Sequence, residues 1–336
     1  MLSVRSLARH SKVAIVCHRI VQNWRMRSEF AKGSIEASIG STHSSKSIED
    51  SLAYIELQYR DYCRYADITS EEIKGKRIIE LGCGDNVGVA LKFLSEGASQ
   101  VTTIDKFYSK RDEKNERRIY LALRETLDSS QREKFDQVVD LSQGIEIDSA
   151  RLCCVYGKEL SEFGSENVNT EKFDIVLSRA VIEEIYEPKP LFQATDQLLN
   201  PGGLMIHKID LRDYGMFSGA GMNPLTFLTI PEWIYRRMAS ESGLPNRKTM
   251  SYYCDVLEGM GYQTQIFITS VISKGEINPH KQTIQAAVDY DETELSLVRK
   301  IRSKLDSQFS KLSDEELLVD GIFLVARKPR TKSEPA

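Results

Sequence analysis

The chain has 336 residues, a hydrophobic content of 41% and a formal net charge of −4. A chain of this length can bury a sizeable core, and its size suits one large domain with appendages. The negative charge argues against a general nucleic-acid binder, for which a basic surface is expected.

The first 28 residues carry a local excess of positive charge, with six basic residues and no acid. Within them Val13, Val16, Ile20 and Trp24 recur at helical spacing, which predicts a basic amphipathic helix. Three roles stay open for this helix: docking on the acidic remainder of the chain, contact with an anionic membrane surface, or an organelle transit peptide. No apolar run approaches the roughly 18 residues that a membrane span requires.

A segment rich in Ser, Gly and Thr, residues 33–47, predicts a flexible connection, so we separate an N-terminal region 1–46 from a main domain 47–330. The main domain is expected to begin with a helix that Ser47 caps, with Asp50 three residues on. Its apolar stripe at helical spacing indicates core packing and consists of Leu52, Ile55, Tyr59 and Tyr62.

The next stretch predicts a strand over 77–81, a glycine turn, a helix over 87–95 and a strand over 100–105. Glu80 lies at the end of the first strand and Asp105 at the end of the second. The glycines between them follow the pattern G-x-G-x-x-x-G, whereas a dinucleotide fingerprint reads G-x-G-x-x-G and places a pyrophosphate on the helix N-terminus. The pattern therefore favours a ligand other than a dinucleotide.

Further along, F-D-I-V-L-S over 173–178 predicts a buried strand, V-I-E-E follows it, and L-N-P-G-G over 199–203 ends a helix before a strand over 204–207. These motifs, in this order after the glycine loop, resemble motifs I and IV to VI of class I S-adenosylmethionine-dependent methyltransferases. The resemblance is to the type 11, ubiquinone-biosynthesis-like branch and covers residues 73–330.

The resemblance implies an α/β fold: a Rossmann-like, seven-stranded, mostly parallel sheet with helices on both faces. It also implies S-adenosylmethionine as the cofactor, with Asp105 accepting hydrogen bonds from ribose hydroxyls and Cys83 as a small filler rather than a nucleophile. The predicted cofactor-binding residues are Glu80, Gly82, Cys83, Gly84, Asn86, Gly88, Asp105, Lys106 and Ser178. The family's acid after the third strand is displaced or replaced here.

Three insertions into this fold are predicted, at about 106–151, 211–261 and 273–315, with a short tail over 331–336. The first contains a charge run over 110–118, which is typical of a solvated helix face. The second follows the fifth strand, so we expect either a substrate lid or a packed cap.

The third insertion is expected to hold an amphipathic helix with Leu295, Val298, Ile301 and Leu305. It lies between strands over 263–271 and 319–327, which resemble the sixth and seventh strands of the family.

Transfer of a methyl group to a hydroxyl requires a base that removes the proton. His207 ends the fifth strand and is the predicted general base, with Asp210 as its catalytic partner and Asp213 as an alternative orienting group. A purely structural role for His207 stays open, as does a substrate or cofactor role for Glu183 and Glu184. No metal site is predicted.

The predicted function is methyl transfer from S-adenosylmethionine to a small-molecule, lipid-linked or glycan acceptor, with O-methylation favoured and no nucleic acid as partner. Six cysteines without a C-x-x-C pair or zinc spacing indicate a cytoplasmic setting, with peripheral membrane contact through residues 1–28 left open. The alternatives are an NAD(P)-dependent Rossmann enzyme and a non-catalytic binding protein with the same fold.

Overall fold

The computed structural model describes residues 11–34, 36–37, 42–167 and 172–330. The basic residues Arg5 and Arg9 and the tail over 331–336 lie outside this part of the chain. The described residues form two units. The glycine-loop unit comprises those within 35–179, 190–206 and 325–336, and the insertion unit comprises those within 1–34, 180–189 and 207–324.

The glycine-loop unit alternates strands and helices, as the sequence predicts. Its elements in chain order are β1 Glu36–Ala37, α2 Ile48–Ala66, α3 Ser70–Ile73, β2 Arg77–Leu81, α4 Gly88–Ser95, β3 Gln100–Asp105, β4 Tyr108–Ser109, α5 Glu113–Thr126, α6 Ser129–Asp136, β5 Val139–Asp140, β6 Glu146–Ile147, β7 Leu152–Tyr156, α7 Leu160–Glu166, β8 Phe173–Arg179 and α8 Pro188–Leu198, whose first two residues fall in the insertion unit.

The insertion unit begins with the N-terminal helix α1, Lys12–Ala31, and continues after β8 with shorter elements. It contains 3-10 turns at Ile182–Glu184, Ser218–Ala220, Pro224–Thr229 and Arg302–Lys304, helices α9 Glu232–Ala239, α10 Met250–Gly259, α11 Glu292–Ile301 and α12 Asp314–Leu318, and strands β10 Gln263–Val271 and β11 Gly275–Lys281. Strands β9, Leu199–Asp210, and β12, Val319–Arg327, each contribute residues to both units.

The main sheet has eight strands in the order β11-β10-β12-β9-β8-β2-β3-β7, so the prediction of seven strands is wrong. The predicted α/β class with a mostly parallel sheet is confirmed, since β2 pairs in parallel with both β3 and β8, and β3 with β7. The eighth strand, β11, comes from the third predicted insertion and pairs antiparallel with β10. Pro279 interrupts its pattern, and proline in a sheet is confined largely to edge strands such as this one.

The start of β9 also differs from the prediction. The strand begins at Leu199 and includes the Pro-Gly-Gly stretch that was expected to precede it. The Gly202 N–H donates to the Lys328 carbonyl at 3.1 Å, and the Lys328 N–H donates to the Gly203 carbonyl at 2.9 Å. These long-range backbone bonds satisfy the peptide groups of a segment that reads locally as a turn.

The helix α2 follows its prediction closely. The Ser47 side chain accepts a hydrogen bond from the Asp50 N–H at 3.0 Å, which satisfies an N–H that the helix itself leaves open. Tyr59 and Tyr62 are buried, and the Tyr59 ring lies 5.1 Å from that of Phe93 in an edge-to-face contact. The tyrosine stripe of this helix therefore packs in the core.

All six cysteines lie in the described part of the chain, and none forms a disulfide. Across the described ranges, no helix is both long enough and apolar enough to cross a membrane.

Candidate functional site

The strand register of the glycine-loop unit places the predicted cofactor residues at neighbouring strand ends. Leu81 of β2 is paired with Ile104 of β3 on one side and with Ser178 of β8 on the other. Glu80 therefore lies one residue before this row and Asp105 one residue after it. Because these strands are parallel, their carboxyl ends share one sheet edge, where ligands of such folds bind.

The loop after β2 turns sharply because two of its glycines adopt left-handed backbone angles, with φ of 70° at Gly82 and 63° at Gly84. The Gly82 N–H donates to the Ile104 carbonyl at 2.8 Å, which holds the turn against β3. A Cβ at Gly88 would overlap the Ile55 side chain, so the start of α4 also requires glycine. The backbone of this loop is thus left without side chains at the points where a ligand would approach it.

Glu80 is almost fully buried, and its Oε2 has no hydrogen-bond partner among the described residues. Burial raises the pKa of this carboxyl to about 8, and the nearby Arg111 guanidinium opposes that rise. Asn86 accepts from the Gly88 N–H at 2.7 Å through Oδ1, while its buried Nδ2 has no acceptor in the described part of the chain. Glu80 Oε2, an acceptor, and Asn86 Nδ2, a donor, therefore lie beside the glycine turn without a hydrogen-bond partner within the described ranges.

Asp105 is held by the loop that it faces. Its carboxylate accepts from the Phe107 N–H at 3.0 Å and from the Gly84 N–H. Burial raises the pKa of Asp105, and the two N–H donors and Arg111 counteract this effect. The carboxylate is thus oriented by backbone donors at the end of β3.

A buried network that the sequence did not predict surrounds this loop. Arg111 donates to Glu116 at 2.9 Å and to the Tyr156 hydroxyl at 2.6 Å, and it contacts Cys83 Sγ at 3.6 Å. Glu116 in turn accepts from the Tyr120 hydroxyl at 2.5 Å, whose oxygen accepts from the Val87 N–H at 3.0 Å. The network joins the glycine loop, α5 and the end of β7.

This network corrects the interpretation of the charge run over 110–118 as a solvated helix face, because Arg111 and Glu116 are only 13% and 8% exposed in their side chains. Glu116 and Tyr120 lie four residues apart on α5, a spacing that brings two side chains together, and this was the sequence feature that could have indicated their contact. Their long-range partners could not be read from that spacing.

The remaining predicted cofactor residues differ in their surroundings. Cys83 is half-buried, and desolvation raises the pKa of its thiol to about 12, so the thiol is protonated at neutral pH. Lys106 pairs with Glu159 at 2.8 Å, and Ser178 is fully buried in β8. Asp85, which was not predicted, accepts from the backbone N–H groups of His43 and Ser44 and so anchors the connection before α2.

These residues fit the cofactor that the resemblance implies. S-adenosylmethionine carries an amino acid group and a ribose, and the loop offers a buried carboxyl with an open oxygen, an amide with an open N–H and a strand-end carboxylate. Their roles towards the cofactor stay predictions.

The insertion unit contains a second buried carboxyl, Glu183, in the turn after β8. Its Oε1 accepts from the Asp210 N–H and from the Tyr214 hydroxyl, each at 3.0 Å, and its buried Oε2 has no partner in the described ranges. Burial raises the pKa of Glu183 to about 8, with the neighbouring acids Asp210 and Glu184 adding to the rise. The Glu183 backbone is held by Asn246, whose N–H donates to its carbonyl at 2.7 Å.

The residues predicted for catalysis are placed differently. His207 is 1% exposed, and burial lowers the pKa of its imidazole to about 3. Asp210 forms an ion pair with Arg212. Asp213 accepts from the N–H groups of Gly215, Phe217 and Ser218 and from the Ser218 hydroxyl, so it stabilises the turn over 213–218.

A cavity of about 610 Å³ lies within the insertion unit, and its lining begins at Leu211, directly after β9. Tyr214 lines it, as do the apolar side chains of Leu225, Phe227 and Ile272. Its polar lining comprises Arg212, Asp213, Ser218, Arg247, Lys248, Thr249, Ser273, Lys274, Glu316 and Asp320. The cavity therefore combines an apolar wall with basic and acidic groups.

Among solved structures, a phosphoethanolamine N-methyltransferase 2 from Haemonchus contortus, in complex with phosphomonomethylethanolamine and S-adenosylhomocysteine, is 16% identical with a TM-score of 0.41. The alignment covers 82% of this chain and 53% of that chain, so this chain spans about half the length of the Haemonchus protein. An arsenic(III) S-adenosylmethionine methyltransferase from Chlamydomonas reinhardtii is 14% identical with a TM-score of 0.40, over 86% of this chain and 75% of that chain.

No curated protein matches the chain significantly. A family model described as a methyltransferase domain matches residues 54–264, well over half of the 336 residues. The predictions of a class I methyltransferase and of S-adenosylmethionine as its cofactor are thereby confirmed, while the type 11 branch stays a prediction. The chain belongs to the family of S-adenosylmethionine-dependent methyltransferase domains.

Proposed function

We propose that this protein transfers a methyl group from S-adenosylmethionine to a hydroxyl of a small-molecule, lipid-linked or glycan acceptor. The observation that carries the proposal is the glycine loop between β2 and β3, with buried Glu80 at its start and Asp105 at the end of the neighbouring strand. Membership of the methyltransferase domain family supports the reaction class, and the acceptor and the methylated atom are proposed.

In this proposal Glu80 and Asn86 bind the amino acid group of the cofactor and Asp105 binds its ribose. The cofactor supplies an electrophilic methyl group on a sulfonium. The protein's own task is to hold the acceptor in line with that methyl group and to remove a proton from the acceptor hydroxyl.

For the proton, we propose the pair Tyr214 and Glu183. Tyr214 lines the cavity and donates its hydroxyl proton to Glu183 Oε1 at 3.0 Å. An acceptor hydroxyl that donates to the Tyr214 oxygen can pass its proton there while the tyrosine proton moves to Glu183. A carboxyl with a pKa of about 8 is a stronger base than an ordinary glutamate once it is ionised.

His207, the general base predicted from sequence, is the competing candidate for this role. A fully buried imidazole with a pKa of about 3 is a weak base, and a base near neutral pKa is the more efficient catalyst. The Glu183 and Tyr214 pair is therefore preferred, and a variant of each residue separates the two candidates.

The cavity of the insertion unit is the proposed acceptor site. It holds two buried polar atoms without a partner in the described ranges, the Arg247 Nε–H as donor and Asp320 Oδ1 as acceptor. An acceptor with both hydrogen-bonding groups and an apolar portion would satisfy these atoms and cover the wall of Leu225 and Phe227. A polyhydroxylated small molecule with an apolar substituent has this chemistry.

The cofactor is tested by calorimetric and thermal-shift titration of the full-length protein with S-adenosylmethionine, S-adenosylhomocysteine, NAD and NADP. At about 100 times its dissociation constant, a bound ligand should stabilise the fold by roughly 2.7 kcal/mol. We expect stabilisation by the first two ligands alone. Stabilisation by a dinucleotide would overturn the cofactor assignment, and no response to any ligand would favour a non-catalytic protein.

The acceptor class is tested with S-adenosylmethionine labelled in its methyl group, incubated with the protein and with separate lipid, glycan and small-molecule extracts. Labelled product is expected in one of these pools, with the label on oxygen. The Asp105→Ala variant is the matched negative control. Label on nitrogen or carbon would still agree with methyltransferase activity, but it would refute the proposed O-methylation.

A further inference from the structure

The chain contains two tryptophans, and both are exposed to solvent. Trp24 of α1 is 68% exposed and Trp233 of α9 is 65% exposed. Tryptophan carries a large apolar ring with a polar N–H, and it is enriched at interfaces where one end of the ring is apolar and the other is hydrated. Both lie in the insertion unit, outside the cavity and the Glu183 site.

The helix α1 has two faces with different roles. One face is docked: buried Asn23 donates to the Ser240 hydroxyl at 3.0 Å and accepts from the Glu241 N–H at 2.7 Å, just beyond α9. Lys12 donates to Thr229 at 2.6 Å, before α9 begins, so α1 lies alongside α9. These contacts correspond to docking, one of the three roles left open for this helix.

The other face of α1 carries a second apolar stripe that the sequence did not separate from the first. Val13, Cys17, Val21 and Trp24 follow one another at steps of four, four and three residues and are all exposed. At about 100° per residue, these positions share one side of the helix, roughly 115° around the helix axis from Asn23. Docking on α9 thus leaves an apolar stripe in solvent.

The exposed side of α9 has the same character. Trp233, Arg236 and Arg237 lie one turn apart on it, and the Arg237 guanidinium lies 5.3 Å from the centre of the Trp233 ring. On α1, Arg25 and Arg27 are exposed beside the apolar stripe. The two helices together carry six basic residues and two acids, in a chain whose formal net charge is −4.

We propose that the outer faces of α1 and α9 bind the surface of an anionic lipid bilayer. Tryptophan is enriched at membrane interfaces, where its ring sits at the level of the headgroups, and arginine beside it attracts anionic lipid. A helix with an apolar stripe flanked by basic residues is suited to lying in that plane. The local positive charge, opposite in sign to the charge of the chain, favours an anionic surface over a neutral one, and the two exposed tryptophans favour a bilayer as that surface.

The test uses the full-length protein and vesicles of phosphatidylcholine with or without phosphatidylglycerol. Because the chain has only two tryptophans, its emission reports directly on the proposed surface. We expect the protein to sediment with the anionic vesicles and its tryptophan emission to shift to the blue. Both signals should be lost as added salt shortens the Debye length from about 10 Å at 0.1 M to about 3 Å at 1 M. The single variants Trp24→Phe and Trp233→Phe each keep one tryptophan. Each should still show a blue shift of its emission with anionic vesicles.

Replacing both tryptophans with alanine should weaken vesicle binding by at least about tenfold, since each loses buried apolar area. Val288→Ala is the matched control, because Val288 is 58% exposed elsewhere in the same unit and should leave binding unchanged. Affinity for S-adenosylmethionine should be the same in all these variants.

Equal binding by the double variant, or no binding by the original protein, would overturn the proposal. A blue shift that grows with protein concentration in the absence of vesicles would assign the surface to a second copy of the chain instead.

Discussion

The glycine-loop unit and the insertion unit hold their polar groups in different ways. In the glycine-loop unit, Glu80 and Asp105 stand at the ends of regular parallel strands, and backbone pairing positions them. In the insertion unit, Asp213 and Asn246 bind the backbone of irregular turns through their side chains. Regular strand pattern therefore indicates the first kind of site, while the second combines local turns such as that of Asp213 with contacts such as that of Asn246 to Ile182, 64 residues away.

Each unit also has a buried arginine, and the two serve different partners. Arg111 faces Glu116, Tyr156 and the glycine loop. Arg247 donates to the carbonyls of Phe227 and Ile230 at 3.1 and 2.6 Å and lies over the Tyr235 ring at 3.9 Å. The first arginine contacts the glycine loop, and the second binds the carbonyls of an irregular turn, so we expect separate effects in each unit.

The largest expected effect is on turnover. Glu183→Gln should lower the rate of methyl transfer by about 100- to 10,000-fold, because the proposed base is lost, while affinity for S-adenosylmethionine is unchanged. The rate of the original protein should rise with pH towards about 8, since the carboxyl with this pKa accepts a proton only when it is ionised. The measurement is the initial rate of labelled product across this range.

Glu184→Gln is the neighbouring control for this prediction, and His207→Gln tests the competing base. A full rate in Glu183→Gln with a large loss in His207→Gln would restore the base predicted from sequence.

The next effect concerns stability in the glycine-loop unit. Arg111→Met leaves Glu116 buried without its cation and should lower the free energy of unfolding by about 3 to 5 kcal/mol. Lys106→Met is the matched control, since it removes the more exposed pair with Glu159 and should cost about 1 kcal/mol or less. Urea unfolding followed by circular dichroism measures both. Equal losses would show that the Arg111 network is not specially stabilising.

A smaller effect is expected on cofactor affinity. Asp105→Ala should weaken binding of S-adenosylmethionine by roughly 1 to 3 kcal/mol, because it removes a charged acceptor for the ribose hydroxyls. Calorimetry measures this change, with Asp148→Ala as the control at an exposed acid of the same unit. Unchanged affinity in Asp105→Ala would refute the ribose assignment.

The last effect is the pH dependence of stability without ligand. Burial raises the pKa of Glu80 from 4.5 to about 8, so between these values the folded protein keeps a proton that the unfolded chain has lost. This contribution to stability is complete below about 4.5 and is lost as the pH rises towards 8. Glu80→Gln cannot titrate, so its stability relative to the original protein should increase with pH across this window.

Urea unfolding at steps of pH across the window gives the difference, with the exposed Glu125→Gln as control. A difference that stays flat with pH would contradict the protonated state of Glu80.

Sequence reasoning placed most of the regular elements of the glycine-loop unit because each has a local cause. Ser47 caps α2 through a neighbour three residues away, and β2, β3 and β8 are short apolar runs bounded by turns. The eighth strand was missed because β11 has no apolar alternation of its own and is defined by its pairing with β10.

The same distinction applies to the candidate sites. The glycine spacing favoured a ligand other than a dinucleotide, and the resemblance to the family implied S-adenosylmethionine. The Arg111 network was missed because Glu116 and Tyr156 acquire their roles only when α5 and β7 meet the loop. His207 was predicted to end the fifth strand, but β9 continues to Asp210 and His207 lies within the strand, buried in the core.

By itself, then, the sequence indicated the methyltransferase class through its resemblance to the family, and it predicted the parallel sheet through alternating strands and helices, because such patterns extend over a few residues. Only the tertiary structure decided which charged groups are buried, which acid lies beside Tyr214 and which face of α1 remains in solvent. Burial and long-range pairing set the pKa of Glu80 and Glu183 and the exposure of Trp24. These properties arise from neighbours that the linear order of the chain does not show.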